Sequence, residues 1–324
     1  MGDEAIRNPK SGYVAIIGKP NVGKSTLMNA LVGERLSIVT PKPQTTRGRV
    51  LGIMSSEECQ AVFWDTPGML EPKGRLQEVM TRQIRDSVKD ADVLLALVDA
   101  SSPKDGLDER MREILHDWQR PLIVAINKSD LVETARVEKI KDRIKVAMKR
   151  EGGSESSLPP SPSLPLSPSG AGPGWVVLAI SALRGTHVDA LKTLIEQRLP
   201  EGSFFYPPDM VAEQPERFFV SELVREEIFL KLGQELPYAA AVNVEEFKER
   251  KDEKDYIRAV IYVERSSQKG IVIGAKGAML KQIGQHARVK IEAFLDRPVY
   301  LELWVKVRPK WRKRERDLKE FGYW

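Results

Sequence analysis

The chain has 324 residues, 41% of them hydrophobic and 30% charged, which is room for two ordinary domains with a core each. No run approaches the roughly 18 uncharged apolar residues of a membrane-spanning helix, and the one cysteine, Cys59, excludes an internal disulfide or an all-thiolate metal centre and suits a reducing compartment. The net charge of +5 hides an asymmetry: residues 265–324 hold 15 Lys and Arg against 6 Asp and Glu, +9, so the rest sums to −4. That is the footprint of a nucleic-acid binder, and equally of a solvated basic helix or one facing an acidic partner.

Residues 1–12 read as a polar tail, without the apolar stretch of a secretory signal or the Arg and Ser of an organelle leader. From 13 to 200, short apolar runs at 13–17, 61–64, 93–98, 122–126 and 176–180 alternate with helical patterns. Such runs suit strands buried on both faces, so the expectation is a doubly wound α/β domain with a mostly parallel sheet. Residues 151–174 interrupt it with 18 Gly, Pro or Ser in 24, a composition that predicts a disordered insert.

The first strand runs into "GKPNVGKST", which satisfies GxxxxGK[ST] with Gly18, Gly23, Lys24 and Ser25, between a strand and a helix as that motif requires. Glycines there let backbone N–H groups, including those of Asn21, Val22 and Thr26, wrap phosphates at a helix N-terminus. Lys24 is expected to reach the β and γ phosphates and Ser25 to ligate Mg²⁺. Three further segments follow in order. "WDTPG" puts Asp65 at a strand end for the Mg²⁺ shell and Gly68 where an N–H senses the γ phosphate. "NKSD" (Asn127, Lys128, Asp130) follows a strand, so Asp130 can accept the two guanine N–H donors that adenine lacks. "SAL" (Ser181, Ala182, Leu183) follows another, with an N–H near Ala182 for the guanine carbonyl. Each fragment is common alone; the ordered set specifies a GTPase. Between them "PKPQTTRGR" offers Thr45 and Thr46 as Mg²⁺ ligands on a loop of the kind that orders with triphosphate, Thr46 being preferred and Thr45 left open. Met69 stands where a Ras-like enzyme has its water-orienting Gln, so turnover is slow or relies on another group.

Residues 201–216 read as a linker, and 217–324 as a smaller α+β domain. Its expected order is helix 221–232, strands 239–249 and 256–265, a glycine turn, helix 279–291, strand 299–307 and a basic terminal helix. In "GIVIGAKGAMLKQIG" the turn Gly274-Ala275-Lys276-Gly277 would admit a sugar-phosphate backbone, and Ile271, Ile273 and Leu280 would line a groove for unstacked bases, with Lys276 and Lys281 adding charge. A helix-capping turn is the plainer reading of an isolated GxxG. Trp304 alternates with apolar neighbours and reads as core; Trp311 is open between core and surface; Tyr323 and Trp324 read as helix packing or tail.

These motifs together resemble the Era GTPases, which join a GTPase domain to a KH domain. The likeness runs from "SGYVAIIGKPNVGKSTLMNALVGERLSIVT" through "PQTTR", "DTPG", "NKSD" and "SAL" to "QPERFFVSELVREEI" and "LELWVKV"; only the insert and the extreme N-terminus fall outside it. The resemblance implies a P-loop GTPase domain followed by a type II KH domain. It further implies GTP and GDP as ligands with Mg²⁺, and hydrolysis by a catalytic set of Lys24, Thr46, Asp65, Gly68 and Asn21. It implies K⁺ stimulation through Asn21, the small-subunit ribosomal RNA 3′ end as partner, and a role in assembling that subunit. DNA is not expected, a monomer is, and a weak membrane contact is left open. The insert suggests an organellar version, in the plastid stroma more readily than the mitochondrial matrix, against a bacterial cytoplasm. Two other readings stay open: an RNA-binding protein with a structural nucleotide, and a membrane-associated signalling GTPase.

Overall fold

The run Tyr13 to Ile17 is buried on both faces, so it belongs in the middle of a sheet rather than at an edge. In the computed structural model, which describes residues 8–102, 106–150, 154–155, 174–233, 235–251 and 253–323, that is its place. β1 (Lys10–Gly18) lies between β3 (Cys59–Asp65) and β4 (Val93–Asp99), parallel to both. Outward lie β2 (Val50–Ser55) beyond β3, and β5 (Leu122–Asn127), β7 (Gly174–Ala179) and β6 (Ser154–Glu155) beyond β4. Among the described residues of this sheet, only β2 is antiparallel. Helices α1 (Lys24–Val32), α2 (Arg75–Asp90), α3 (Glu109–His116), α4 (Thr134–Arg150) and α5 (Val188–Arg198) make the crossovers. Because β1 is flanked on both sides by later strands, the chain reverses its winding at the carboxyl end of β1, which is where open α/β sheets bind ligands.

The residues divide into two compact units, and two segments break contiguity. The first holds residues up to Arg35, Arg49–Leu70 and Gln83–Ala212; the second holds Leu36–Gly48, Glu71–Arg82 and Glu213–Trp324. Sequence boundaries at 13–200 and 217–324 do not anticipate that exchange.

The second unit has α6 (Glu216–Lys231), α7 (Leu236–Ala239), β8 (Ala241–Lys248), β9 (Asp255–Val263), α8 (Ser266–Ile273), α9 (Ala278–Leu295), β10 (Val299–Val307) and α10 (Glu315–Glu320). The sheet order is β10-β9-β8, with β9 parallel to β10 and antiparallel to β8. Its core joins Val224 and Ile228 of α6, Ile257 and Ile261 of β9, and Ile283, Ala287 and Ile291 of α9.

Several expectations change. Strand β1 starts inside the supposed tail, at Lys10; residues 1–7 and most of the insert lie outside the described residues, but Ser154, Glu155 and Gly174 of the insert are paired strand. The terminal helix is not basic: α10 reads ERDLKE, and the cations precede it. The stretch before the glycine turn is helical, as α8. Trp304 is not core but 52% exposed, on the outward set of β10 with Tyr300, because alternation identifies two faces without saying which is buried. Trp311 is fully buried, and Tyr323 is buried and stacked on it. Cys59 starts β3 in the interior, where burial pushes its thiol up to about 11, far from reactive.

The segment Leu36–Gly48 is tied into the second unit through one arginine. Arg47 is 3% exposed; its guanidinium donates to the carbonyls of Ala240 (2.6 Å) and Pro237 (2.8 Å) and lies 5.8 to 5.9 Å from the ring centres of Phe229, Trp311 and Tyr323. Trp311 closes the same pocket by donating from Nε1 to the Ala239 carbonyl, 2.8 Å. Nearby, the Lys42 ammonium donates to the carbonyls of Phe229 and Leu232 at the end of α6, and buried Arg225 donates to the Thr45 carbonyl and the Glu222 carboxylate. Buried Glu226 accepts from the Val39 N–H and pairs with Lys290 of α9 at 2.5 Å.

Arg47→Met removes the charge together with its desolvation cost but orphans two buried carbonyls, each worth about 1–3 kcal/mol. A net loss of about 2–4 kcal/mol is expected. Hydrogen exchange should quicken by roughly a hundredfold or more at Leu36–Gly48 and the start of β8, with β1, β4 and β5 unaffected. Unchanged exchange at these segments would show that Arg47 anchors nothing.

Candidate functional site

The carboxyl edge of the first sheet gathers the chemistry. Register sets Asp65 beside Ile16 and Asn127 beside Asp99, so the ends of β1, β3, β4 and β5 meet at one rim. There the loop from Gly18 to Gly23 turns sharply: Gly18 has φ 155°, Asn21 φ 62° and Gly23 φ 98°. A Cβ on Gly23 would fall 2.3 Å from Asn127 Nδ2. Both glycines are thus required by shape as well as by backbone torsion.

Lys24 is 6% exposed at the start of α1, and its ammonium donates to the carbonyls of Gly18 (3.1 Å) and Lys19 (2.9 Å). Burial lowers its pKa to about 8, with the Asp65 charge opposing. Ser25 Oγ donates to Asp65 Oδ2 at 2.7 Å, so two of the expected Mg²⁺ ligands already share one point. A hydroxyl and a carboxylate are hard oxygen donors, and a Mg²⁺ site commonly takes its other ligands from phosphates and water. These residues fit that ion.

Gly68 approaches the same loop closely: a Cβ there would meet Pro20 at 2.7 Å, and the Met69 N–H donates to the Gly18 carbonyl at 3.0 Å. Met69 is buried in the core of the first unit. The position that lacks a glutamine is therefore a packing anchor that holds the strand end against the phosphate loop.

Asn127 braces the rim from the other side. It is 3% exposed; Nδ2 donates to the Val22 carbonyl (2.8 Å), and Oδ1 accepts from the Ala182 N–H (2.9 Å). The Ala182 N–H thus meets the Asn127 side chain in this structure. Leu183 beside it is 77% exposed, and Ser181 Oγ accepts from the Arg184 N–H, shaping the turn. Lys128 adopts φ 64° and pairs with Asp99 at 2.6 Å, while Asp130 is exposed in the following 3-10 turn. Asn21 and Thr26 flank the loop, exposed and half-buried. The reading from sequence missed the bracing role of Asn127 and the partner of Lys128; neither Val22, Ala182 nor Asp99 is adjacent in sequence. Thr45 and Thr46 belong to the second unit, Thr46 buried there.

In the second unit the GxxG turn joins α8 to α9. Gly274 (φ 73°, ψ 177°) has no room for a side chain, since a Cβ would stand 2.7 Å from Met279 Cβ. Gly277 (φ 81°) instead opens onto empty space, and Lys276 (φ 48°) and Ala275 are exposed between them. The turn is therefore a bare backbone surface with a cation on it. Ile271 is 58% exposed, whereas Ile273 and Leu280 are half-buried against the core, and Lys281 is exposed. The apolar surface beside the turn thus rests on Ile271, with the other two forming its base.

Residues 13–128 match the family described as 50S ribosome-binding GTPase, and residues 235–312 match the KH domain. GTPase Era of Carboxydothermus hydrogenoformans is 40% identical over 97% of this chain and 98% of its own length. The chain belongs to the Era family of GTPases. A chloroplastic GTPase ERA-like protein of rice is 41% identical over all of this chain and 71% of its own. Two solved Era structures, each 39% identical, cover 97% of this chain and 99% of their own. One is Aquifex aeolicus Era, in a Tyr-to-Ala variant, with GDP and AlF4⁻ (TM-score 0.84); the other is Era with MgGDPNP and nucleotides 1506–1542 of 16S ribosomal RNA (TM-score 0.85). The fold is thus a P-loop GTPase domain followed by a KH domain, and the activity is GTP hydrolysis. No helix among the described residues is long and apolar enough to cross a membrane.

With the Lys24 pKa near 8, the free amine loses its proton as pH rises through that value, and nucleotide phosphates raise the pKa again by attraction. GDP binding above pH 8 should then take up a proton, and affinity should be flat from pH 6.5 to 7.5 and fall toward about tenfold per unit above 8. Lys24→Arg, whose guanidinium stays charged, should bind more weakly but without that fall up to pH 9. Parallel profiles for the two proteins would refute the assignment.

Proposed function

We propose that this GTPase is a switch that binds the 3′ end of small-subunit ribosomal RNA and assists assembly of that subunit. The observation that carries the reading is the membership of Leu36–Gly48: the loop bearing Thr45 and Thr46 is built into the unit that holds the GxxG turn, through Arg47 and Arg225. A loop that answers to the γ phosphate and is also part of the RNA-binding unit gives nucleotide state a route to RNA affinity. The Era complex with 16S ribosomal RNA supports the choice of RNA.

In this reading the amides of Gly18 to Thr26 hold the phosphates, Lys24 neutralises them, and Asp130 selects guanine by accepting its two N–H donors. Ser25, Asp65 and Thr46 would hold Mg²⁺, and Asn21 would hold K⁺; when bound, these ions supply positive charge to the transferring phosphoryl group. Gly68 offers its N–H to the γ phosphate, and Asn127 keeps the phosphate loop and the Ser181 to Leu183 loop in register. Met69 cannot orient a water, so the attacking water needs ordering from Thr46 or from a loop closed by RNA. The Gly274 to Gly277 turn clamps the RNA backbone while Ile271, Ile273 and Leu280 receive bases. The chloroplastic relatives favour the plastid stroma. The chain would act as a monomer without DNA, and the signalling reading with a membrane contact leaves the GxxG turn unexplained.

GTP turnover should be measured in matched KCl and NaCl, with and without a short single-stranded RNA copying the small-subunit 3′ end. Stimulation by K⁺ and by RNA is expected, each by roughly tenfold or more. Slow turnover indifferent to both would leave an RNA-binding protein with a structural nucleotide.

A further inference from the structure

Lys128 holds a left-handed backbone conformation, φ 64° and ψ 32°, which an L side chain adopts only where its neighbours fix it. Here both flanks are fixed. The Asn127 carbonyl accepts from the Ala100 N–H at 2.9 Å, and the Ser129 N–H and hydroxyl both donate to the Ile180 carbonyl, at 3.1 and 2.9 Å. With the backbone pinned to the ends of β4 and β7, the remaining freedom of Lys128 lies in its side chain. Asp99 removes it: Oδ2 accepts from the Lys128 ammonium at 2.6 Å, while Oδ1 accepts from the Ser101 N–H (2.9 Å) and hydroxyl (2.6 Å). Each carboxylate oxygen is thus committed, and Asp99 cannot turn from the lysine without giving up the turn that follows β4. An exposed ion pair between freely rotating side chains contributes little. This pair is half-buried, with 29% of the Lys128 and 21% of the Asp99 side chain exposed, and one partner is already held.

The place of the pair gives it a use. Asn127, one residue before Lys128, donates to the Val22 carbonyl of the phosphate loop, and Asp130 follows two residues after it. The chain at Lys128 therefore passes from the phosphate end of the crevice to the end where guanine is read. Asp99 and Asn127 are register partners on β4 and β5, so the tether draws the lysine stem back across the gap between those two strand ends. We propose that Asp99 is a positioning residue for guanine: by holding the ammonium at the end of β4 it fixes the methylene stem of Lys128 as the apolar floor on which the base lies. This rests on the reading that Asp130 selects guanine. Long cationic side chains commonly bury their methylenes while the charged head keeps a polar partner. An untethered lysine offers the base the same surface only after its rotamers are frozen on binding, and that ordering is subtracted from affinity. Because the floor meets GDP, GTP and the transition state alike, its loss weakens binding without slowing the bound enzyme.

The test uses the full chain and three variants: Asp99→Asn, Lys128→Met and the two combined. Asparagine keeps the acceptor for Ser101 and loses the carboxylate for Lys128, so the turn survives while the tether goes; thermal unfolding without nucleotide is the folding control. Asp99→Asn should weaken GDP binding by roughly threefold to tenfold and raise the GTP KM by the same factor, with kcat unchanged. In the Lys128→Met protein, whose uncharged stem has no tether to lose, adding Asp99→Asn should change neither quantity. Inosine diphosphate, which lacks the exocyclic amine, should weaken in step with GDP, because the floor lies under any purine. Unchanged GDP affinity in Asp99→Asn would overturn the proposal, as would an equal loss in the Lys128→Met background or a fall in kcat with KM unchanged. A shifted preference between GDP and inosine diphosphate in Asp99→Asn would also overturn it, by placing the effect on Asp130. Equal binding of the two nucleotides by wild type would refute the guanine-reading role of Asp130 itself.

Discussion

A guanidinium can be buried only where its protons find acceptors, because the bare charge would cost several kcal/mol. Arg47 meets that constraint with two backbone carbonyls, Pro237 inside α7 and Ala240 at the junction of α7 with β8. The aromatic faces of Phe229, Trp311 and Tyr323 then fill the space around it. The consequence is topological. A segment lying between α1 and β2 in sequence becomes structural material of the second unit, so its conformation and that of the KH fold are not independent. Arg225, Lys42 and Glu226 reinforce the same attachment, and Glu226 passes it on to Lys290 of the helix that follows the GxxG turn.

The nucleotide rim depends on a different constraint, the reversal of winding at β1. It leaves a crevice whose lining must come from strand ends far apart in sequence, and Asn127 is the side chain that ties them. One amide satisfies Val22 on the phosphate loop and Ala182 on the base-side loop. The Ser25 to Asp65 hydrogen bond does the same between α1 and β3. With Lys24, Ser25 and Asp65 already brought together, binding spends little on ordering those three.

How much was legible in the sequence follows from the range of each interaction. The glycines of the phosphate loop and of GxxG act through their own backbone torsions, so spacing alone identifies them. Central strands of the first sheet are legible because burial on both faces leaves an apolar run. The edge strand β2, with Gly52 in its middle and two half-buried residues at its end, leaves no such run. Arg47 is illegible: its partners lie 190 residues or more away, and locally it is one cation in a polar loop. Trp304 was misassigned because period two separates the faces of a strand without orienting them.

The central claim is that nucleotide state reaches the RNA-binding unit through Leu36–Gly48. The most direct measurement is the affinity of the full chain for the small-subunit 3′ RNA with GDP and with a non-hydrolysable GTP analogue, at one fixed salt concentration. Coupling of about 1–3 kcal/mol is the usual range for linked sites. The account predicts a difference of roughly tenfold or more between the two nucleotides, matched by an equal change in their own affinities when RNA is present. Identical RNA affinity in both states would contradict it and leave the GTPase and the KH domain as independent functions on one chain.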